Sequence, residues 1–493
     1  MGKDQLKASQ VRPFFVCLLF AICFLLRLYQ LGYHDLWFDE VASAGYAQHP
    51  WGNWNAPFYW IFLHGWVKFF GFSEFVLRFP SLIFSLSSVV FLFFLGKELF
   101  NARVGFCAAL FMGLSPFHLW YAQEARDYTM VLCLGVCASL LLAKALKQDR
   151  SIFWISFALV SMIGLYTNYF YAVLLMAQGG VVLAFKRHQI KFLEVLSFLI
   201  PVLAFSYYLP HFFEKFIYIA HGFWVPRPSP ASLLITLENF LLGYNGWPAL
   251  YLVADIVIGI LFVAACWNAY RQKLYQNFLV CLVLFLIPIG CIFIFSINFF
   301  SIYLDRAFLI FTPFFYLVLS VGLGYASRWF RFLAVAVLAG LMLTSVAAFF
   351  KNHMVMPFEH HVGVWLKKPI KPVGVFLKAH LASDDALAFT NNSILRSLYF
   401  YHHQGLPLYY YLFDPRFPET DWQRPIQESP RCIPYYKASG LKFNKLWVVF
   451  SDWPRDKTLG PSSQSTKDWL DKNMVQEFSR EFDGLMVVRY ARP

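Results

Sequence analysis

The chain has 493 residues, of which 59% are hydrophobic, 20% aromatic and 14% charged, against about 25% charged in an ordinary soluble domain. That composition excludes a disordered chain and an ordinary soluble enzyme. Lys and Arg outnumber Asp and Glu by 41 to 28, a formal net charge of +13, which suits a nucleic-acid or acidic-surface partner unless the charges have another use.

About 20 apolar residues cross the hydrocarbon core as a helix, and runs of that kind recur as far as Phe350. They predict about eleven transmembrane helices, near 13–31, 80–98, 104–121, 128–146, 151–167, 169–185, 193–209, 249–268, 277–296, 306–326 and 331–350. The fold class is therefore an α-helical polytopic membrane protein. The first run is followed by Trp37, Phe38 and Asp39 and by no small-residue cleavage site, so it reads as a retained helix. Eight of the nine cysteines fall inside predicted spans and Cys432 stands alone, so neither a disulfide framework nor a CxxC metal site is indicated.

The loops orient the bundle, because short cytoplasmic loops retain Lys and Arg. Most of the basic residues before position 351 fall on the side of the N-terminus: Lys3, Lys7 and Arg12, Lys97 and Arg103, Lys144, Lys147 and Arg150, then Lys186, Arg187 and Lys191 and the two later pairs Arg271, Lys273 and Arg328, Arg331. The opposite side holds most of the acids, including Asp35, Asp39, Glu40, Glu124, Asp127 and Asp305. A cytoplasmic N-terminus and an odd helix count put residues 351–493 outside. The excess of positive charge is thereby a topology signal and no sign of nucleic acid.

Residues 1–350 form the predicted transmembrane domain, and from residue 351 the composition becomes charged and turn-rich. Val373 to Leu381, Ala386 to Thr390, Ser393 to Tyr401 and Leu446 to Phe450 read helix, strand, helix, strand. Ser465 and Asp468 make a capping-box pattern before Trp469 and Leu470, and Asp483-Gly484 lies between two alternating strands as a hairpin signal. The expectation is an extracytoplasmic α/β domain. Its acids and His402-His403 have no catalytic spacing and suit a surface or packing role.

The first outer loop, residues 32–79, carries Asp35-Leu36-Trp37-Phe38-Asp39-Glu40. These carboxylates could cap and start a short helix, or supply a general base to a lipid-borne substrate at the bilayer surface. Trp51 to Trp60 and Leu63 to Phe70 are dense in Trp and Tyr and include His64 and Lys68, as in helices that lie in the membrane interface. After the third span comes Ser115-Pro116-Phe117-His118-Leu119-Trp120-Tyr121-Ala122-Gln123-Glu124-Ala125-Arg126-Asp127, either a solvated charged turn or a second acidic site. Asp305-Arg306 stands at the outer mouth of the tenth span, where an arginine can snorkel or face a phosphate with its planar fork of donors.

Three segments taken together, Leu36-Trp37-Phe38-Asp39-Glu40, Phe72 to Ser81 and Ser115-Pro116-Phe117-His118 with Gln123-Glu124-Ala125-Arg126, resemble the polytopic glycosyltransferases of the GT-C fold. The likeness is to the branch (glycosyltransferase 39/83-like) that includes protein O-mannosyltransferases and lipid A aminoarabinose transferases. It implies that Asp39 is the catalytic base with Glu40 its neighbour, that Glu124 is a second acid accompanied by Arg126, and that Arg306 is a late-helix arginine. Where many relatives have His-Pro-Pro or Lys-Pro, this chain has Asn55-Ala56-Pro57, and Asn55 offers only a neutral hydrogen bond there. Tyr59, His64 and Tyr121 complete the candidate substrate-binding residues.

The resemblance implies an inverting transfer from a polyprenyl-phosphate sugar donor to a hydroxyl or phosphate of an acceptor lipid, glycan or protein, in cell-envelope glycosylation at the bacterial plasma membrane. Such a donor needs no nucleotide site, and the chain has neither a P-loop nor a dinucleotide fingerprint. No cofactor is required, and a divalent metal is compatible with the scheme without a His/Cys cluster to hold it. The rival reading is a polytopic transporter or flippase of lipid-linked sugars, which calls for ionisable residues near the bilayer midplane and repeated halves. Here the charges crowd span ends and no repeat is visible.

Overall fold

The computed structural model describes residues 11–51, 55–186, 189–354, 360–364, 366–391, 394, 397–398, 400–401, 409–413, 432–440, 443–451, 459 and 461–493. The chain divides into two compact units. The first, residues 1–31, 46–220 and 225–363, is helical. The second takes residues 364–493 together with 32–45 and 221–224.

In the helical unit, each of the eleven predicted spans holds helix. Six helices are long and apolar enough to cross a membrane, or up to eight if each of two bent pairs counts as one span, while α1 (Pro13–Leu28), α8 (Ser151–Leu165) and α9 (Tyr171–Lys186) are shorter. The remaining helices, in chain order, are α2 (Phe38–Gln48), α3 (Phe58–Phe70), α4 (Glu74–Leu99), α5 (Ala102–Leu114), α6 (Pro116–Ala122), α7 (Tyr128–Gln148), α10 (Phe192–Ser206), α11 (Leu209–Ala220), α12 (Pro230–Leu242), α13 (Pro248–Arg271), α14 (Tyr275–Asn298), α15 (Thr312–Gly324) and α16 (Arg328–Phe350). A 3₁₀ turn, Asp305–Phe311, leads into α15.

Local chemistry fixes the ends of these helices. Ser73 accepts the Val76 amide at 3.3 Å and starts α4 one and a half turns before the predicted position. Asn101 accepts the amides of Arg103 and Val104, both at 3.0 Å, and starts α5. At Ser115-Pro116 the proline ring cannot continue the ladder, and the helix breaks there with a 62° bend. The fully buried Arg27 donates to the Ser85 hydroxyl at 2.8 Å and to the Gly113 carbonyl at 2.9 Å, tying α1 to α4 and to the last turn of α5. The span Asp305–Gly324 is the most deeply packed, with 94% of its apolar window buried, against 22% for Pro248–Arg271.

One expectation fails in α3. Its aromatics are expected to lie in the membrane interface, yet Tyr59 and Trp60 are buried, their rings 4.8 Å apart, while Trp51 before it and Phe69 and Phe70 at its end are exposed. Two of the anchors are core residues because the helix has an apolar stripe to cover.

The second unit is an α/β layer around a six-stranded sheet, with strands in chain order β1 (Ala386–Phe389), β2 (Tyr409–Phe413), β3 (Cys432–Pro434), β4 (Lys445–Ser451), β5 (Val475–Phe482) and β6 (Leu485–Ala491). Their order in the sheet is β3-β2-β1-β4-β6-β5, the first four parallel and the last two antiparallel. β1 and β4 pair with Leu387 opposite Trp447. Both are buried on two faces, which is why they read as continuous apolar runs and not as alternating ones. Odd positions Leu387, Phe389, Trp447 and Val449 pack on α17 (Ile370–His380) through Val373 and Phe376; even positions Ala388, Val448 and Phe450 pack on Leu470 of α18 (Pro461–Asn473) and on Met474 just after it.

The hairpin expected at Asp483-Gly484 joins β5 to β6, with Gly484 at φ +83°. The capping-box expectation is corrected: α18 begins at Pro461, so Ser465 lies inside it and Asp468 instead accepts from Gln464 one turn before, at 2.7 Å. A proline sits well at a helix start, where its missing N–H has no partner to lose. Of the predicted helix Ser393 to Tyr401, residues Ile394 and Leu398 are in the core; residues 393, 395, 396 and 399, and His402-His403, lie outside the described residues.

Candidate active site

In the helical unit the break at Ser115 positions α6. The Ser115 hydroxyl donates to the Phe240 carbonyl at 3.0 Å, and His118 pairs with Thr312 at 2.7 Å, both buried. This leaves Trp120, Tyr121 and Glu124 held from three sides. The Trp120 indole donates to Glu124 Oε1 at 2.7 Å, and Tyr121 and Tyr244 share a hydroxyl hydrogen bond of 2.6 Å. Tyr244 reaches this position because α12 ends in Gly243, at φ +64°, whose Cα lies so close to α6 that a Cβ there would meet Phe117 N and Pro116 Cβ at 3.0 Å.

The tyrosine pair gathers candidate residues from distant parts of the chain. The Tyr121 phenol lies within electrostatic reach of Glu124 and Arg306, and the Tyr244 phenol of Asp305, Arg306 and Glu124. Burial first, and then the Asp305 carboxylate, push the Tyr244 phenol well above its usual range, so it stays a protonated donor at neutral pH. Asp305 is oriented by Thr236 at 2.7 Å and Asn239 at 2.6 Å, and the half-buried Arg306 donates Nη1 to the Gly363 carbonyl at 3.0 Å. Arg126, also half-buried, has its guanidinium carbon 5.4 Å from the Trp60 ring and 5.6 Å from the Tyr128 ring. Aromatic faces of this kind hold a guanidinium in place by cation–π attraction, and a guanidinium is the side chain best shaped to meet an oxyanion.

Other predicted residues lie in separate local groups. His64 is held on the Ala47 carbonyl at 2.7 Å. Tyr59 is part of the packed core. The Asn55 amide oxygen accepts a hydrogen bond from Lys215 of α11, and Tyr208 donates to the Asn55 carbonyl at 2.8 Å. The cation missing from the Asn55 motif is thus delivered from 160 residues downstream.

The segment 32–45 belongs to the α/β unit. Glu40 is fully buried; its Oε2 lies 3.5 Å from the Trp37 amide, the return half of a helix cap, and 3.6 Å from Lys367 Nζ. Asp39, one residue earlier on α2, is half-buried, and its carbonyl accepts from Ser43 at 3.0 Å. Asp35 accepts the Lys371 amide at 2.8 Å and so caps α17.

Among the described residues no three His, Cys, Asp or Glu side chains are grouped as a metal site. Sequence reasoning missed Tyr244, Lys215 and Lys367. The Gly243-Tyr244-Asn245-Gly246 turn between apolar runs is the signal for the first; nothing in the sequence around Lys215, or in the Lys367-Lys368 pair, points to a distant acidic or polar partner.

The sequence profile of the dolichyl-phosphate-mannose-protein mannosyltransferase family matches residues 49–213, about a third of the chain. That stretch includes Asn55, Tyr59, His64, Tyr121, Glu124 and Arg126. No curated protein matches the chain. The apo crystal structure of ArnT from Cupriavidus metallidurans superposes with a TM-score of 0.62 at 14% identity, covering 97% of this chain and 98% of that one. The chain has the GT-C fold. The same ArnT bound to undecaprenyl phosphate superposes with a TM-score of 0.59 at 15% identity, again over 97% and 98% of the two chains. The sequence resemblance thus holds for the fold from end to end, and this GT-C chain is an integral membrane protein with a small C-terminal sheet domain.

Proposed function

We propose that the protein is an inverting glycosyltransferase that moves a sugar from a polyprenyl-phosphate donor to a hydroxyl or phosphate of a lipid, glycan or protein acceptor at the outer face of a bacterial plasma membrane. The observation that carries this reading is the grouping of Glu124, Asp305 and Arg306 around the buried Tyr121–Tyr244 hydroxyl pair. Acids, phenols and a guanidinium in one place suit a sugar next to a phosphate. The match of the mannosyltransferase profile over α6 and the undecaprenyl phosphate in the ArnT complex support the same donor class. The cationic loops on the side of the N-terminus support a cytoplasmic N-terminus and an outer α/β unit.

In the proposed step, Asp39 accepts the proton of the acceptor hydroxyl as its oxygen attacks the anomeric carbon. The new C–O bond forms while the bond from that carbon to the phosphate oxygen breaks, so one displacement inverts the centre and the lipid phosphate leaves with the electron pair. Arg126 and Arg306 meet the growing charge on the phosphate. Glu124, held by Trp120, orients the sugar or Arg126. Of the two adjacent acids, Asp39 suits the base, because Glu40 is buried beside Lys367.

The test is transfer from a radiolabelled polyprenyl-phosphate sugar by the purified chain in lipid. Asp39→Asn is expected to lower the rate about 10² to 10⁴-fold, the contribution of a positioned base. Transfer at the wild-type rate by that variant sinks the assignment. Turnover-independent movement of the intact lipid-linked sugar across vesicles favours the transporter instead.

A further inference from the structure

Residues 364–493 supply no group to the chemistry above, yet the segment with the proposed base is built into the same α/β unit. Three contacts fasten the segment, all inside that unit. Lys371 at the start of α17 gives its amide to Asp35 at 2.8 Å, with its Nζ 3.9 Å from the same carboxylate. The Tyr401 hydroxyl accepts the Leu36 amide at 2.8 Å, and the Lys371 ammonium lies 4.9 Å from the Tyr401 ring. Lys367 lies 3.6 Å from Glu40, with 10% and 0% of the two side chains exposed.

We propose that the α/β unit is the positioning element for the catalytic carboxylate: Lys367, through its ion pair with Glu40, fixes the first turn of α2 and with it Asp39. This rests on the reading of Asp39 as the base. Asp35, Leu36 and Glu40 are spaced so that the stretch before α2 and its N3 residue are both held, and Asp39 lies between the two held points. A fully buried carboxylate that loses a cation 3.6 Å away is driven to protonate or to swing toward water. Either movement carries the helix start, and Asp39, with it. Lys367 is then a positioning residue that touches no substrate, and the same logic explains why residues 32–45 cluster with the C-terminal unit and not with the helices that flank them in sequence.

The experiment uses the full chain in lipid and two variants. Lys367→Met removes the charge and keeps much of the apolar stem; Lys367→Arg keeps the charge. Lys367→Met is expected to lower kcat about 10²-fold, the scale of an ångström-sized misplacement, with KM for the donor within about twofold, since donor groups are untouched. Lys367→Arg should recover most of that loss. Amide hydrogen exchange over residues 35–41 should quicken in Lys367→Met and stay near wild type in Lys367→Arg. Unchanged exchange in Lys367→Met overturns the proposal whether or not sugar is transferred. Wild-type kcat in Lys367→Met, or an equal fall in both variants, overturns it as well. If Asp39→Asn keeps the wild-type rate while exchange responds as expected, the base assignment fails and the fastening stands.

Discussion

The Tyr121–Tyr244 pair offers a test of the helical site that needs no substrate. Tyr244→Phe removes one hydroxyl and leaves the Tyr121 hydroxyl buried at the place where its 2.6 Å partner was. A buried polar group stripped of its partner costs about 1–3 kcal/mol, whereas replacing both partners with apolar groups of the same shape is nearly neutral. Each single variant should therefore be destabilised by about that amount, and the double variant Tyr121→Phe/Tyr244→Phe by less than the sum, a coupling of about 0.5–3 kcal/mol. Both rings stay and fill the same space, so cavity terms do not confuse the comparison. Thermal unfolding of the four proteins in one detergent, followed by intrinsic tryptophan fluorescence, closes the cycle. A double variant destabilised by the full sum of the singles would show that the two hydroxyls do not depend on each other, and the reasoning that makes them a hub for Glu124 and Arg306 would fall with it.

Gly243→Ala should cost about 1–3 kcal/mol for a backbone conformation, φ +64° and ψ −148°, that essentially only glycine adopts, and more through the contact with Phe117 N and Pro116; the same melts read it, and a stability equal to wild type refutes the close approach. In the α/β unit, the Lys445 hydrogen bond, with Arg489 behind it, holds the exposed Glu477 carboxyl below its ordinary value of 4.5. Its contribution is thus complete above that pH and is lost as pH falls through the lower folded value, so Glu477→Gln should flatten the acid side of the unit's stability curve, and an unaltered curve counts against the pairing.

Much of the helical unit is legible in the sequence because a membrane span needs only length and apolarity, both local properties. Each of the eleven runs holds helix for that reason. What local reading cannot supply is the depth of packing: Asp305–Gly324 and Pro248–Arg271 are comparably apolar, yet one is central and the other peripheral. Nor does it separate anchors from core, since Tyr59 and Trp60 have the composition of an interface belt and the environment of a core. The break at Ser115-Pro116 could be read, because proline acts on its own turn. Its use, turning α6 so that Tyr121 meets Tyr244, could not, because that contact spans 123 residues.

The acid segment makes the same point about charge. From sequence, Asp35, Asp39 and Glu40 are three carboxylates near one helix start, and capping or catalysis suits any of them. The partners that divide the roles, Lys371 for Asp35 and Lys367 for Glu40, lie more than 300 residues away. A capping bond at 2.8 Å and a buried ion pair each commit a carboxylate to holding the backbone, and a committed carboxylate is a poor proton acceptor for a substrate. Asp39 sits between two such groups, fixed in place by neighbours and itself partly open. Rigid support on both sides with access at the centre is what a general base at a membrane surface requires, and it arises here from residues whose function is only to be bound.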